Sequence, residues 1–289
     1  MKTYTSPLTD ERTTTVCCNL CGYDVPSPFL QDDGYIFVRC RNCGLVYQNP
    51  QPVFEDLRRR YSQGYFEYEI DNEANFFHLM TLGLRDIGFD ALANQMTKRQ
   101  LAEHAAELRT FLDVGCATGM LLEHMRDAGW RVRGVDLTPE SVEYGRTHRG
   151  LDIFAGTLHE AQLPAASQSV IHFSHLIEHV PSPRHFLEEV ARVLAPGGLV
   201  LVTTPNVNGL QARLFRNRWR SAIADHVYLF SKRTLRRSLL TAGLRPLRTV
   251  TWGGLAVGAA PGWIKRPADR LAKRWGFGDV MMIAATRES

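Results

Sequence analysis

The sequence predicts an α/β chain, in which a doubly wound, mostly parallel sheet of seven strands follows a small cysteine-rich ribbon. Three observations carry this. Phe111 to Asp136 reads as strand, glycine turn, helix and second strand. Short apolar runs alternate with capped helical stripes from there to the end of the chain. Two copies of C-x-x-C-G stand close to the start.

The 289 residues suffice for one full α/β domain and one small module. A net charge of +4 is mildly basic and does not by itself nominate nucleic acid. The opening MKTYTSPLTDERTTT lacks the apolar run of a signal peptide, and no stretch approaches the roughly 20 apolar residues of a bilayer span. A cytoplasmic location with reduced thiols is therefore expected.

Residues 1–50 are expected to form the ribbon. Cys18 and Cys21 pair with Cys40 and Cys43 across eighteen residues, a separation suited to a four-cysteine Zn2+ site. Gly22 and Gly44 let the chain turn tightly around a metal so that amides point at the thiolates. Four protein thiolates close such a site, which makes it structural. Cys17 stands outside, because pairing Cys18 with Cys21 reproduces the second knuckle. Disulfides or a redox pair are the competing reading; two matched knuckles without an export signal favour the metal. Tyr35 to Val38 reads as a strand of this module, whose small core leaves most of its stability to the metal.

Residues 51–108 read as a helical linker or cap, with Phe54, Leu57 and Tyr61 on one face. Tyr65, Phe66, Tyr68, Phe76 and Phe77 add an aromatic load, suited either to covering a ligand or to packing the ribbon against the main domain. The main domain is expected over 109–289. Thr138 with Pro139 opens its second helix, Leu151 to Phe154 is the third strand and Val170 to Ser174 the fourth. Ser182 caps a helix with an apolar stripe through Leu194 that stops at Pro196-Gly197-Gly198, and Leu199 to Thr203 is the fifth strand. Ser231 caps another helix that runs to Gly243. Strands at about 246–252 and 279–286 close the sheet around a basic insertion at about 253–278, which suits a lid, an oligomer contact or a membrane-surface helix.

Chemistry is expected at the turn. Gly115 and Gly119 allow backbone N–H groups to approach a ligand at a helix N-terminus, and Asp136, about 20 residues on, suits a ribose diol. Ala117 stands where a dinucleotide site would have its middle glycine, so a nucleoside without phosphates fits better than NAD.

At these residues the chain resembles the class I S-adenosylmethionine-dependent methyltransferases. LDVGCATG matches their first motif, hhDhGCGtG with h apolar, except for Ala117 in place of the usual glycine. The resemblance implies a seven-stranded Rossmann-like methyltransferase sheet and S-adenosyl-L-methionine as cofactor. By it Gly115, Cys116, Ala117 and Gly119 cradle the methionine end, Asp113 helps to order the turn, and Asp136 with Leu137 meets the ribose. Family members frequently carry an acid near the third strand for the adenine; Thr157 and Leu158 stand there, leaving the contact to backbone or to the Leu158 side chain. HLIEHVP resembles the EHV segment after the fourth strand, whose end at Ser174 and His175 faces cofactor and substrate.

Asp225-His226-Val-Tyr228-Leu-Phe230 resembles the EHxxxF segment of bacterial sugar C-methyltransferases, which also carry an N-terminal zinc module. That resemblance implies His226 as base, Asp225 orienting it and Tyr228 lining the pocket. His179 is a second candidate, with fixing its own loop as the competing role. Arg213, Arg216, Arg218 and Arg220 alternate with Phe215 and Trp219, which suits a flat anionic ligand or a solvated helix face. The expected activity is O- or C-methylation of a small-molecule or glycan-precursor substrate. An RNA base methyltransferase reading nucleic acid through the ribbon, and a catalytically silent partner subunit, are the alternatives.

Overall fold

The computed structural model describes residues 10–32, 34–60, 63–102, 109–254, 273 and 275–288. The chain opens with β1 (Thr13–Thr14), β2 (Pro26–Asp32), β3 (Tyr35–Cys40), β4 (Val46–Gln48) and β5 (Gln51–Pro52). Three helices follow, α1 (Phe54–Arg59), α2 (Gln63–Ile87) and α3 (Phe89–Ala102). The main domain then alternates β6 (Thr110–Val114), α4 (Met120–Asp127), β7 (Arg131–Asp136), α5 (Pro139–Arg149), β8 (Ile153–Ala155) and β9 (Gln168–Ser174). It continues through α6 (Pro183–Val193), β10 (Leu194–Pro205), α7 (Leu210–Phe215), β11 (Tyr228–Leu229), α8 (Lys232–Thr241), β12 (Leu244–Trp252) and β13 (Val280–Arg287).

Seven of these strands form one sheet in the order β8-β7-β6-β9-β10-β13-β12. The first five run parallel, and β13 lies antiparallel to both neighbours. This is the expected doubly wound sheet. Connections step outward from β6 through β7 to β8 and from β9 through β10 to β12, and β13 then inserts between β10 and β12. The crevice between the carboxyl ends of β6 and β9 is thus where an open α/β sheet receives ligands.

Alternation along the strands splits the core into two faces. Phe111, Val170, Leu199, Leu201 and Met282 pack with α2, α3 and α4 on one face. Leu112, Ile171, Phe173, Val200 and Ile283 face α6 and α8 on the other, in one cluster with Cys18, Leu45 and Tyr47 of the ribbon. The α2 rings serve the first face: Phe66 meets Tyr144 of α5 and Phe77 meets His124 of α4. Phe66 and Phe77 thus pack the helix on the main domain.

Two details differ from expectation. Leu194 ends no helical stripe; it already pairs with Gln168, and the register shifts between Leu194 and Leu199 to absorb the Pro-Gly-Gly segment. β11 adds to the ribbon, whose sheet runs β11-β4-β3-β2, so a strand from beyond residue 225 completes a module built from the first fifty. Among the described residues no helix is long and apolar enough to cross a membrane. Tyr61 and most of the basic insertion, including Lys265, Arg266, Arg270 and Arg274, lie outside the described residues.

Candidate active site

The glycine turn is held from below. Val135 accepts from the amides of Gly115 and Cys116, and Cys116 accepts from the amide of Gly119. Ala117 takes the left-handed conformation that the usual glycine would adopt freely, at φ 49°. That conformation aims its amide at Asp136 Oδ2 at 2.8 Å, while Asp136 Oδ1 accepts from Thr138 at 2.8 Å. Thr138 opens α5 without a side-chain cap bond, and the carboxylate of Asp136 takes its amide instead.

With these four turn amides engaged internally, the turn has little to offer a pyrophosphate. Its surroundings are acidic. Glu69 on α2 accepts from Ser141 at 2.6 Å, and Glu73 accepts from the Thr118 hydroxyl and from Arg149. Burial and the Asp136 charge push the Glu69 carboxyl up to about 8. Burial likewise raises Asp136 and takes the Cys116 thiol well above its ordinary value, which leaves Cys116 a packing residue. With its amides spent and carboxyl oxygens around it, the turn suits a ligand with hydroxyl donors better than a pyrophosphate.

Other turn residues stand elsewhere than expected. Asp113 does not bond the turn; its carboxylate meets His172 at 2.7 Å inside the sheet, because residues 113 and 172 are register partners on adjacent strands. Leu158 packs into the core, and the Thr157 amide is bonded by Glu160 at 2.7 Å. Leu137 and Ser174 are half-buried and His175 exposed at the same carboxyl edge as Asp136.

Across that edge lies a second cluster. Glu178, His179 and His226 offer one carboxylate oxygen and two ring nitrogens within 4.8 Å of one another. The rings meet edge to face at 4.7 Å. His226 Nδ1–H donates to the Ser221 carbonyl at 2.8 Å and His179 Nδ1–H to that of Asp225 at 3.0 Å. A carbonyl only accepts, so each Nδ1 carries the proton and each Nε2 keeps a lone pair. Burial pushes His226 down to about 3, and burial with the His175 charge pushes His179 down to about 4. Burial works to raise Glu178, but the bond and charge of His175 outweigh it and the carboxyl sits below its ordinary value. Two neutral imidazoles therefore face an ionised carboxylate that also accepts from Thr204 at 2.8 Å. Such a cluster can accept a proton or ligate a cation.

The carboxylate beside His226 is Glu178 and not Asp225. Asp225 is drawn away by Arg60 at 2.6 Å, which also binds Glu11. Tyr228 is buried within the ribbon sheet, donates to the Pro181 carbonyl at 3.1 Å and lies between Tyr47 and Phe230. His175 takes φ 52°, a left-handed conformation of the kind that concentrates at functional edges.

The methyltransferase domain family matches residues 89–249, more than half of the chain. The chain belongs to this family. Similar curated proteins include a ubiquinone biosynthesis O-methyltransferase of Idiomarina loihiensis, 38% identical over 34% of this chain and 42% of its own length. Another of the same name, from Erwinia tasmaniensis, is 34% identical over 37% of this chain and 48% of its own. The chain thus spans less than half the length of either. Among solved structures, a SAM-dependent methyltransferase from Thermotoga maritima is 18% identical with a TM-score of 0.50, over 77% of this chain and 100% of its own. A chain from the complex of the Haloferax volcanii Trm112 methyltransferase activator with a methyltransferase is 21% identical with a TM-score of 0.50, over 69% of this chain and 95% of its own. These two show the fold.

In the ribbon, ahead of the residues that the family matches, the cysteine cage forms as the spacing required. Cys18, Cys21, Cys40 and Cys43 bring their sulfurs within 4.8 Å of one another, and Cys17 is exposed outside them. Two of the separations are 3.4 and 3.6 Å, near the roughly 3.8 Å edge of a tetrahedron with 2.3 Å metal–sulfur bonds. The knuckles are alike: Gly22 donates to Cys18 and Gly44 to Cys40, both glycines at positive φ. Burial pushes the Cys43 thiol up to about 11, a cost that a bound cation would reverse.

Trp219 stacks on no ligand, since it is buried with Nε1 donating to Asp279 at 2.6 Å, and Arg220 pairs with the same carboxylate. Arg213, Arg216 and Arg218 are exposed. Sequence reasoning missed Glu178, Glu69 and Gln48. Glu178 sat in view inside the EHV segment, and Glu69 with Glu73 at i and i+4 was the available sign of a carboxylate face on α2.

Proposed function

We propose that the protein transfers the methyl group of S-adenosyl-L-methionine to an oxygen or carbon of a small or medium-sized polar acceptor, such as a sugar, a glycan precursor or another biosynthetic intermediate. The observation that carries this reading is the Glu178, His179 and His226 cluster within 4.8 Å, at the same sheet edge as the acidic glycine turn. The O-methyltransferase names of the curated relatives favour oxygen. The four-thiolate cage is read as a structural Zn2+ site.

When bound, the cofactor supplies a methyl made electrophilic by its sulfonium. Asp136 would meet the ribose and residues 115 to 119 the methionine end, and the loops bearing Glu178 and His226 would bring the acceptor to the histidines. In this reading His226 offers Nε2 to the acceptor proton, Ser221 fixes its tautomer, and the Glu178 charge works against the burial that makes the ring a weak base in the unliganded chain. The burial of Trp219 leaves an RNA reading with less support. His226→Gln is expected to lower kcat by at least about 100-fold with S-adenosylhomocysteine affinity unchanged. Undiminished turnover of that variant at neutral pH would contradict the role.

A further inference from the structure

The ribbon is joined to the candidate acceptor site more closely than a tethered module would be. β4 begins three residues after Cys43, and its last residue, Gln48, is 1% exposed. Gln48 Nε2 donates to the carbonyls of both Ala224 and His226, at 2.7 and 2.9 Å. Its amide donates to Val227 at 2.9 Å. One ribbon side chain thus fixes the main chain on both sides of Asp225 and at His226 itself. β11 then continues the sheet, with Tyr228 opposite Tyr47 and Leu229 opposite Val46.

The contact is repeated elsewhere. Tyr35 of β3 donates to the Ala222 carbonyl at 2.5 Å, one residue after the carbonyl that holds the His226 ring. Asn19, inside the first knuckle, donates to Ser182 Oγ at 3.0 Å and accepts from the Arg184 amide at 2.8 Å, just past the His179 loop. The two loops are themselves tied, since Glu178 O accepts from Val227 and Tyr228 at 2.8 and 3.1 Å. Both histidine loops thereby rest on one scaffold, whose knuckles bear the four cysteines. No comparable contact joins the ribbon to the glycine turn among the described bonds.

We propose that Gln48 is a positioning residue for His226, and that through it the ribbon sheet sets the geometry of the acceptor side while leaving the cofactor turn independent. The catalytic part of this rests on the reading of His226 as base; the positional part does not.

The test uses the full chain carrying isotope-labelled histidine, with the His226 imidazole resonance identified by its loss in His226→Gln. Gln48→Met keeps length and removes both donors; Tyr35→Phe removes the more distant bond to Ala222, with the longer one to Asp32, and is the milder change. Both are expected to shift the His226 resonance, Gln48→Met the more. Gln48→Met is also expected to lower kcat by about 100-fold while S-adenosylhomocysteine binds within about two-fold of the parent, as a displaced catalytic group would give. An unmoved His226 resonance in both variants overturns the proposal, and so does loss of cofactor binding in step with the shift. If the parent protein turns over no substrate, the function reading fails and the resonance still decides the positioning.

Discussion

Glu69 shows what a single carboxyl can report. Burial and the Asp136 charge raise it from the ordinary 4.5 to about 8. Between those values the folded chain holds a proton that the unfolded chain has released. Its contribution to stability is therefore full below about 4.5 and is lost as pH rises through about 8, with a slope of at most about 1.4 kcal/mol per pH unit. Glu69→Gln removes this titration and keeps the shape. Thermal unfolding followed from about pH 5 to about pH 8 should show the variant losing less stability than the parent. Parallel curves would show that Glu69 is not the group. His226 has the opposite sign, since a ring held near 3 costs stability as pH falls below 6.5. The four cysteines and the glycines were legible in the sequence because spacing alone fixes such residues. The exchange of Asp225 for Glu178 was not, because it depends on Arg60 arriving from α1's end to draw Asp225 away.

Among the elements, α4 shows how tightly the turn and sheet are built. Gly119 caps it at φ 84°, and a Cβ there would run into Leu151 Cδ1. Gly119→Ala combines a left-handed alanine with displaced core, so a loss of roughly 2 kcal/mol or more in urea unfolding is expected. A change below about 0.5 kcal/mol would mean that the turn yields more easily than its packing implies. α8 was readable to its first residue, since Ser231 and Thr234 form the reciprocal cap that Ser231 suggested. β11 was unreadable. Two residues carry no periodicity, and Tyr228 and Leu229 become a strand because β4 offers an edge from far away in sequence.

For the molecule as a whole, the succession of seven strands along the chain followed from alternating apolar runs and capped helices, so the fold class was legible, though the place of β13 inside the sheet was not. The joining of ribbon and main domain was not, because Gln48 reaches across 176 to 178 residues and nothing local announces it. On the proposed reading the consequence is a division of labour, with the glycine turn for the cofactor and the ribbon-backed loops for the acceptor. The central claim is that this turn binds S-adenosylmethionine chemistry and not a dinucleotide. Titration calorimetry of the full chain with S-adenosylhomocysteine measures it directly. Saturable binding of one ligand per chain, abolished by Asp136→Ala, is expected; absence of heat with S-adenosylhomocysteine, or saturable binding of NAD in its place, would contradict this assignment of the turn.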